Sequence, residues 1–207
     1  MANETQTPVR TGRKVVHGAE AQAKILAAVD ALFYRDGARA VSVDAVVELA
    51  GVNKMSVYRQ FKSKDDLLLH YLELRDARFW TYFEASLAKQ PGHPRAQLVQ
   101  VFRDLAERTC RPGYRGCPFV NIAIEFPERD HPARCRVAQN KAQLLQRLQQ
   151  LAAEAGAAEP LQLAKGLALL IEGVYAASQT YDADLALPSV LVLAAEGLLA
   201  AAGVAAR

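Results

Sequence analysis

The sequence predicts an all-α protein, with three short helices at the N-terminus and a larger helical domain after them, about nine helices in total. Three observations lead there. Apolar residues recur at helical spacing through most of the 207 residues. Sustained period-2 alternation is missing, and no Asn-Gly or Asp-Gly pair stands between alternating segments. Proline and glycine mark the breaks, with Pro at or near several helix starts, and there is no internal repeat.

The elements follow in order. Ile25, Leu26, Val29, Leu32 and Phe33 form the stripe of a first helix, which Gly37 closes. Ser42 is placed as the N-cap of a second helix, Val43 to Ala50, with Val43, Val46, Val47 and Ala50 inward. Gly51 stops it, and a third helix runs from about Asn53 to Gln60. Ser63 opens a fourth. Asp65 and Asp66 in its first turn suit the helix dipole, and Leu68, Tyr71, Leu72, Phe79 and Phe83 carry the pattern to about Ala88. "KQPGHP" breaks it. Further helices are expected at roughly Arg95 to Arg111, Pro118 to Phe126, Ala133 to Ala155, Pro160 to Thr180 and Pro188 to Ala202, with "RPGYRGC" and "PERDHP" as loops. This organisation gives an arm over residues 1–19, a helical unit over 20–66 and a larger domain over 67–207.

Charge is uneven along the chain. Residues 1–64 hold ten Lys/Arg against six Asp/Glu, whereas residues 65–207 hold fifteen against sixteen. The positive excess, including Arg10, Arg13 and Lys14 of the arm, points to a polyanionic partner at the N-terminal end. Cys110, Cys117 and Cys135 are an odd number without metal-ligand pairing, which fits a reducing cytoplasm, and no secretory signal is read in the first 19 residues. Leu185 to Ala206 is apolar enough to raise a membrane span. Glu196 near its middle would cost about 3 kcal/mol in lipid, so a helix buried against protein, with no membrane partner, is expected instead.

The stretch "GVNKMSVYRQF" carries the functional reading. With Val57 and Phe61 inward, Met55, Ser56, Tyr58 and Arg59 fall on the outer side of the third helix. Two short helices meeting at Gly51 have the layout of a helix-turn-helix, whose second helix enters the major groove of DNA. Arg59 suits guanine N7 and O6 or a phosphate, and Met55 suits a thymine methyl. Ser42, Lys54, Ser56, Tyr58 and Lys64 suit phosphates. A solvated polar face would use the same residues. The charge split and the basic arm favour nucleic acid.

These residues resemble a known family. "FYRDGARAVSVDAVVELAGVNKMSVYRQFKSKDDLL", Phe33 to Leu68, is similar to the DNA-binding domain of the tetracycline-repressor (TetR) family of bacterial regulators. The shared elements are the Gly37 turn, the Ser42 cap, Ala50-Gly51-Val52, the Tyr58 and Phe61 pair, and Ser63-Lys64-Asp65 ending in Leu67. Ala38 stands where an aromatic is common, and Met55 occupies a variable position. The resemblance implies a transcriptional regulator, most often a repressor, whose C-terminal domain dimerises and holds an inducer between the fourth helix and helices five to eight. An operator of double-stranded DNA and a small-molecule effector are the implied partners.

The sequence supports dimerisation independently. Leu170 and Ala177 lie on an apolar face of the eighth helix, with Gly166 and Gly173 seven residues apart to allow close approach. The last helix, with Leu191, Ala195 and Leu198, is apolar around most of its circumference. A two-fold pairing of these helices would set two recognition helices on a palindromic operator. Pocket candidates are Trp80, Phe83, Phe102, Phe119, Phe126 and Tyr175 as walls, with Asn121, Glu125, Glu172 and Gln179 as orienting groups. Ordinary core packing, with Glu172 paired to an arginine at the dimer seam, is the competing account.

Two further readings stay open. Cys117, just before Pro118 and near Arg115, could serve a redox switch with Cys110 as the resolving thiol. A helical enzyme or adaptor is the other. His17, His70, His93 and His131 are scattered and no phosphate loop or nucleophile elbow occurs, so neither catalysis nor a cofactor or metal is expected.

Overall fold

A computed structural model describes residues 18–181 and 187–205. Among them nine α-helices and no strand are found: α1 Gly18–Asp36, α2 Val43–Ala50, α3 Lys54–Gln60, α4 Lys64–Ala88, α5 Pro94–Thr109, α6 Pro118–Glu125, α7 Pro132–Glu154, α8 Pro160–Thr180 and α9 Leu191–Ala201. The arm's Arg10, Arg13 and Lys14 lie outside the described residues.

Local chemistry sets the ends of the short helices. The Ser42 hydroxyl accepts the Ala45 N–H at 3.1 Å, and Gly51 closes α2 in the left-handed region at φ 63°. Asn53 Oδ1 accepts the Ser56 N–H at 2.8 Å to start α3, and the Ser63 hydroxyl accepts the Asp66 N–H at 3.1 Å to start α4. A helix as short as α3 does not hold alone in water. Val57 and Phe61 are both buried, and Phe61 meets His70 of α4 edge-on at 5.2 Å between ring centres, so packing against α1 and α4 supplies what the short helix lacks. Ile25, Val29 and Phe33 of α1 with Val46 of α2 complete that core.

From this unit α4 runs on for 25 residues and packs against α1 at one end and against α5, α6 and α7 further along. In the larger domain α7 and α8 pair, and α9 lies on α5 and α8. Helix starts shift by a residue at α5 and α7, where Pro94 and Pro132 take the first helical position. At the last helix the difference is larger. A 3-10 turn, Leu187–Val190, precedes α9, so Pro188 does not open the α-helix.

The expected dimer contacts need correction on the same grounds. Leu191 and Ala195 are buried within their own chain, in the core that α9 makes with α5 and α8. Gly166 does permit a close approach, but the neighbour is Leu198 of the same chain, 3.2 Å from where a Cβ would stand. The large apolar side chains that α8 and α9 leave outward are Leu161, Leu169 and Leu193. Among the described residues no helix is long and apolar enough to cross a membrane.

Candidate functional site

The outer side of α3 presents Met55, Tyr58 and Arg59 to solvent, Met55 at 70 % exposure. Among the described residues Arg59 has no ion pair or hydrogen bond. The other sequence-predicted DNA contacts are engaged. The Lys54 ammonium lies 2.7 Å from the Asp44 carboxylate, whose hydrogen bond and charge raise the lysine pKa. The Ser56 hydroxyl donates to Asn53 Oδ1 at 2.9 Å, and Ser42 is occupied as a cap. Lys64 departs furthest from expectation. It is half-buried and donates to the Arg39 carbonyl at 2.9 Å, and burial lowers its pKa against the opposing pull of Glu125 and Asp65.

Behind this unit lies a cavity of about 200 Å³ between α1, α4, α5, α8 and the loop before α6. Its walls are Tyr34, Phe79, Tyr82, Tyr114, Phe119 and Tyr175, and its charged groups are Arg75, Arg78 and Arg108. Arg75 Nε stands 2.6 Å from Asp30 Oδ1 of α1 and its guanidinium covers the Tyr34 ring at 4.2 Å. Arg78 pairs with the other Asp30 oxygen, and Arg108 covers the Tyr82 ring at 5.2 Å. Burial raises the phenol pKa of Tyr114 and of Tyr175, so both hydroxyls are neutral at pH 7. The Tyr34 hydroxyl accepts the Arg115 N–H at 2.8 Å and donates to the Gly116 carbonyl at 3.1 Å, fixing α1 to the loop.

Of the residues expected to form a pocket, Phe119 and Tyr175 line this cavity. Phe102 is fully buried core, and Phe83 is core beside a much smaller void. Trp80 points to the α7 side of α4, with Asp76 and Arg147. Glu125 is a strut between the two parts of the molecule: its carboxylate accepts the Arg39 N–H at 2.7 Å and sits against Gly37, whose φ of 89° brings the turn close. Phe126 belongs to the same junction, under the Arg39 guanidinium at 5.0 Å. Asn121 donates to the Arg115 carbonyl at 2.9 Å, and Gln179 to the Tyr114 carbonyl at 3.3 Å; both brace the loop.

Glu172 has a buried-edge partner, but it is Lys141 of α7 rather than an arginine. That pair borders an open apolar groove of about 810 Å³ between α6, α7 and α8, which includes the exposed Ile124 and Leu169. Lys141 Nζ also approaches Cys117 Sγ at 3.6 Å, so it stands between the groove and the cavity. Among the described residues no group of three His, Cys, Asp or Glu side chains is placed to hold a metal ion.

Comparison with known proteins decides the family. Residues 25–71 match the bacterial regulatory proteins of the tetR family, and residues 87–191 match the tetracyclin repressor-like C-terminal domain. The chain belongs to the TetR family. This TetR-family chain is 29 % identical to the TetR-family transcriptional regulator SCO4454 from Streptomyces coelicolor, with 89 % of this chain and 96 % of that one covered at a TM-score of 0.84. A candidate TetR transcriptional regulator from Streptomyces avermitilis is 32 % identical over 89 % of this chain and 99 % of its own, TM-score 0.78. The TetR-family regulator CifR, in a cysteine mutant complexed with 26-bp operator DNA, shares the fold at 20 % identity over 92 % and 98 %, TM-score 0.68. No curated protein sequence matches the chain. It is a DNA-binding transcriptional regulator of this family, and its α1 to α3 are the helix-turn-helix unit.

Sequence reasoning missed the arginines and Tyr34 of the cavity in this TetR-family chain. A signal was present. Arg75, Phe79 and Tyr82 repeat at helical spacing on α4, one residue out of phase with the face of Trp80 and Phe83, and Arg78 flanks them.

Proposed function

We propose that the protein is a homodimeric repressor that leaves a palindromic operator when a small molecule occupies the cavity behind α4. The observation that carries this reading is a shared position: Tyr34 belongs to α1 and lines the cavity, and Arg75 lines the cavity and pairs with Asp30 of α1. A ligand there touches the same groups that hold the DNA-binding unit in place, so it can favour a conformer whose recognition helices no longer match their half-sites. Its leverage equals its difference in affinity for the two conformers.

In the bound state Arg59 reads a guanine or grips a phosphate, Met55 meets a thymine methyl, and Ser42, Ser56 and Tyr58 meet phosphates. Lys54 and Lys64 would first have to leave Asp44 and the Arg39 carbonyl. CifR, which shares the fold and is complexed with 26-bp operator DNA, supports operator binding as the task of this unit. Residues 20–66 then act as the DNA-binding domain and 67–207 as the sensor and dimerisation domain. The second copy is expected on the outward side of α8 and α9, where Leu169 and Leu193 are 73 % and 70 % exposed and Gly173 leaves open space.

The deciding experiment selects an operator with the purified protein and measures its affinity. Arg59→Ala is expected to lose about 1 to 3 kcal/mol of operator binding with an unchanged melting temperature. Undiminished affinity would sink the assignment of α3. Leu169→Glu combined with Leu193→Glu is expected to yield monomers by light scattering and to lose operator binding. A persistent dimer would move the interface elsewhere.

A second reading has one observation in its favour. Lys141 Nζ lies 3.6 Å from Cys117 Sγ, which places a cation beside the cysteine that borders the cavity, and oxidation of that cysteine would then be the signal. Cys110 is exposed while Cys117 is buried. Operator binding measured before and after mild peroxide, in the native protein and in Cys117→Ser, separates the two. A peroxide response that the serine variant lacks supports the redox reading, and no response in either ends it.

A further inference from the structure

The cavity behind α4 carries more positive charge than it neutralises. Three guanidiniums line it, those of Arg75, Arg78 and Arg108, and no carboxylate does. One carboxylate, Asp30, serves both Arg75 and Arg78 from the α1 side. Arg108 has only the Tyr82 ring against it and, among the described residues, no ion pair or side-chain hydrogen bond. Even the Arg75 contact is incomplete: Nε and Oδ1 lie 2.6 Å apart, yet both are buried without a properly aligned hydrogen bond. The phenols offer no compensating negative charge.

Size and walls narrow the occupant. About 200 Å³ is small beside the 300–1,000 Å³ usual for drug-sized ligands, so room remains for roughly one ring and one polar group. The walls are aromatic, and the guanidinium fork matches a carboxylate through paired hydrogen bonds.

We infer that the effector is a one-ring carboxylate whose acid group pairs with Arg108 and takes Arg75 and Arg78 from Asp30, its ring lying among Tyr82, Tyr114 and Phe119. The inference rests on the cavity being the effector site. Its consequence is a competition between two carboxylates, the ligand's and that of Asp30, for the same guanidiniums. When the ligand wins, α4 loses its side-chain ion pairs to α1, one of the links that hold the helix-turn-helix to the larger domain. The bonds of Tyr34 to the loop and of Glu125 to the Arg39 N–H remain. Because the competition is reciprocal, operator and carboxylate oppose each other's binding.

The test uses the full chain with benzoate, phenylacetate and 4-hydroxybenzoate, each against its uncharged amide, by calorimetry and by fluorescence anisotropy of a labelled operator. At least one acid is expected to bind roughly tenfold or more tightly than its amide and to release the operator. Arg108→Gln should remove that preference. Asp30→Asn should raise affinity for the acid several-fold, since the internal competitor is gone, a gain that simple damage to the fold does not produce. If no acid binds more tightly than its amide, or Arg108→Gln keeps the preference, the carboxylate assignment is overturned. A folded Asp30→Asn variant with unchanged or weaker acid binding overturns the competition. Release of the operator by an amide and not by the acids would reject the inference and leave the ligand-responsive repressor standing. Acids that bind through Arg108 without moving operator affinity would reject the effector role and keep the site.

Discussion

The caps that shape α2 and α3 reach three residues along the chain, from Ser42 to Ala45 and from Asn53 to Ser56, whereas the cavity ties Asp30 to Arg75 and Tyr34 to Gly116. The first kind of contact forms from neighbours in sequence. The second exists only after α1, α4 and the loop before α6 have met. This difference decides how each region responds to damage and how far each can be read from the sequence.

Removing a tertiary anchor from the locally built unit is the strongest way to break the comparison. Phe61 is 1 % exposed, and α3 is too short to survive without its packing. Phe61→Ala is expected to cost about 3 to 5 kcal/mol and to abolish operator binding, read by denaturant unfolding and anisotropy. A small loss would mean that the caps alone hold α3, and that the helix-turn-helix is more autonomous than its core indicates.

Lys64 sharpens the same boundary. By sequence position it is a phosphate contact at the start of α4; in the fold its ammonium is tied to the Arg39 carbonyl. Lys64→Ala is therefore expected to lower stability by about 1 kcal/mol and to leave the salt slope of operator binding unchanged. A slope that falls by about one would return the residue to the DNA contacts.

The helix-turn-helix was legible because its signals are local: a cap residue, a left-handed glycine and an inward pair four apart, Val57 and Phe61. Periodicity also placed α4 and α8 well, since both are long and strongly patterned. It could not rank the faces of α4, which is apolar or aromatic on several sides. Trp80 and Phe83 share one row and Arg75, Phe79 and Tyr82 another, and only the partners of each row separate wall from core. Glu125 and Asn121 share a helix as expected, but what each bonds is a backbone group outside that helix, the Arg39 N–H far away in the chain and the Arg115 carbonyl in the preceding loop, which side-chain spacing does not encode. Leu191 and Ala195 show the same limit for interfaces. An all-round apolar helix has one side for its own core and one for a partner, and sequence alone does not assign them.

The smallest expected effect concerns the end of the larger domain furthest along α4. Asp104 of α5 accepts hydrogen bonds from Ser86 at 2.7 Å, Lys89 at 2.8 Å and Gln100 at 2.7 Å. Burial would raise its pKa, but these bonds outweigh it and hold the carboxyl below the ordinary value. Its stabilising contribution is thus full above the unfolded-state pKa of about 3.9 and disappears as pH falls through the lower folded-state value. Asp104→Asn should therefore be slightly less stable than the native chain near neutral pH, with the gap closing on acidification. Amide exchange at the α4–α5 contact reads that gap directly, while α2 and α3, fastened by their own caps, keep the same protection in both proteins. A gap that widens with acid would mean that Asp104 does not clamp these helices through its charge.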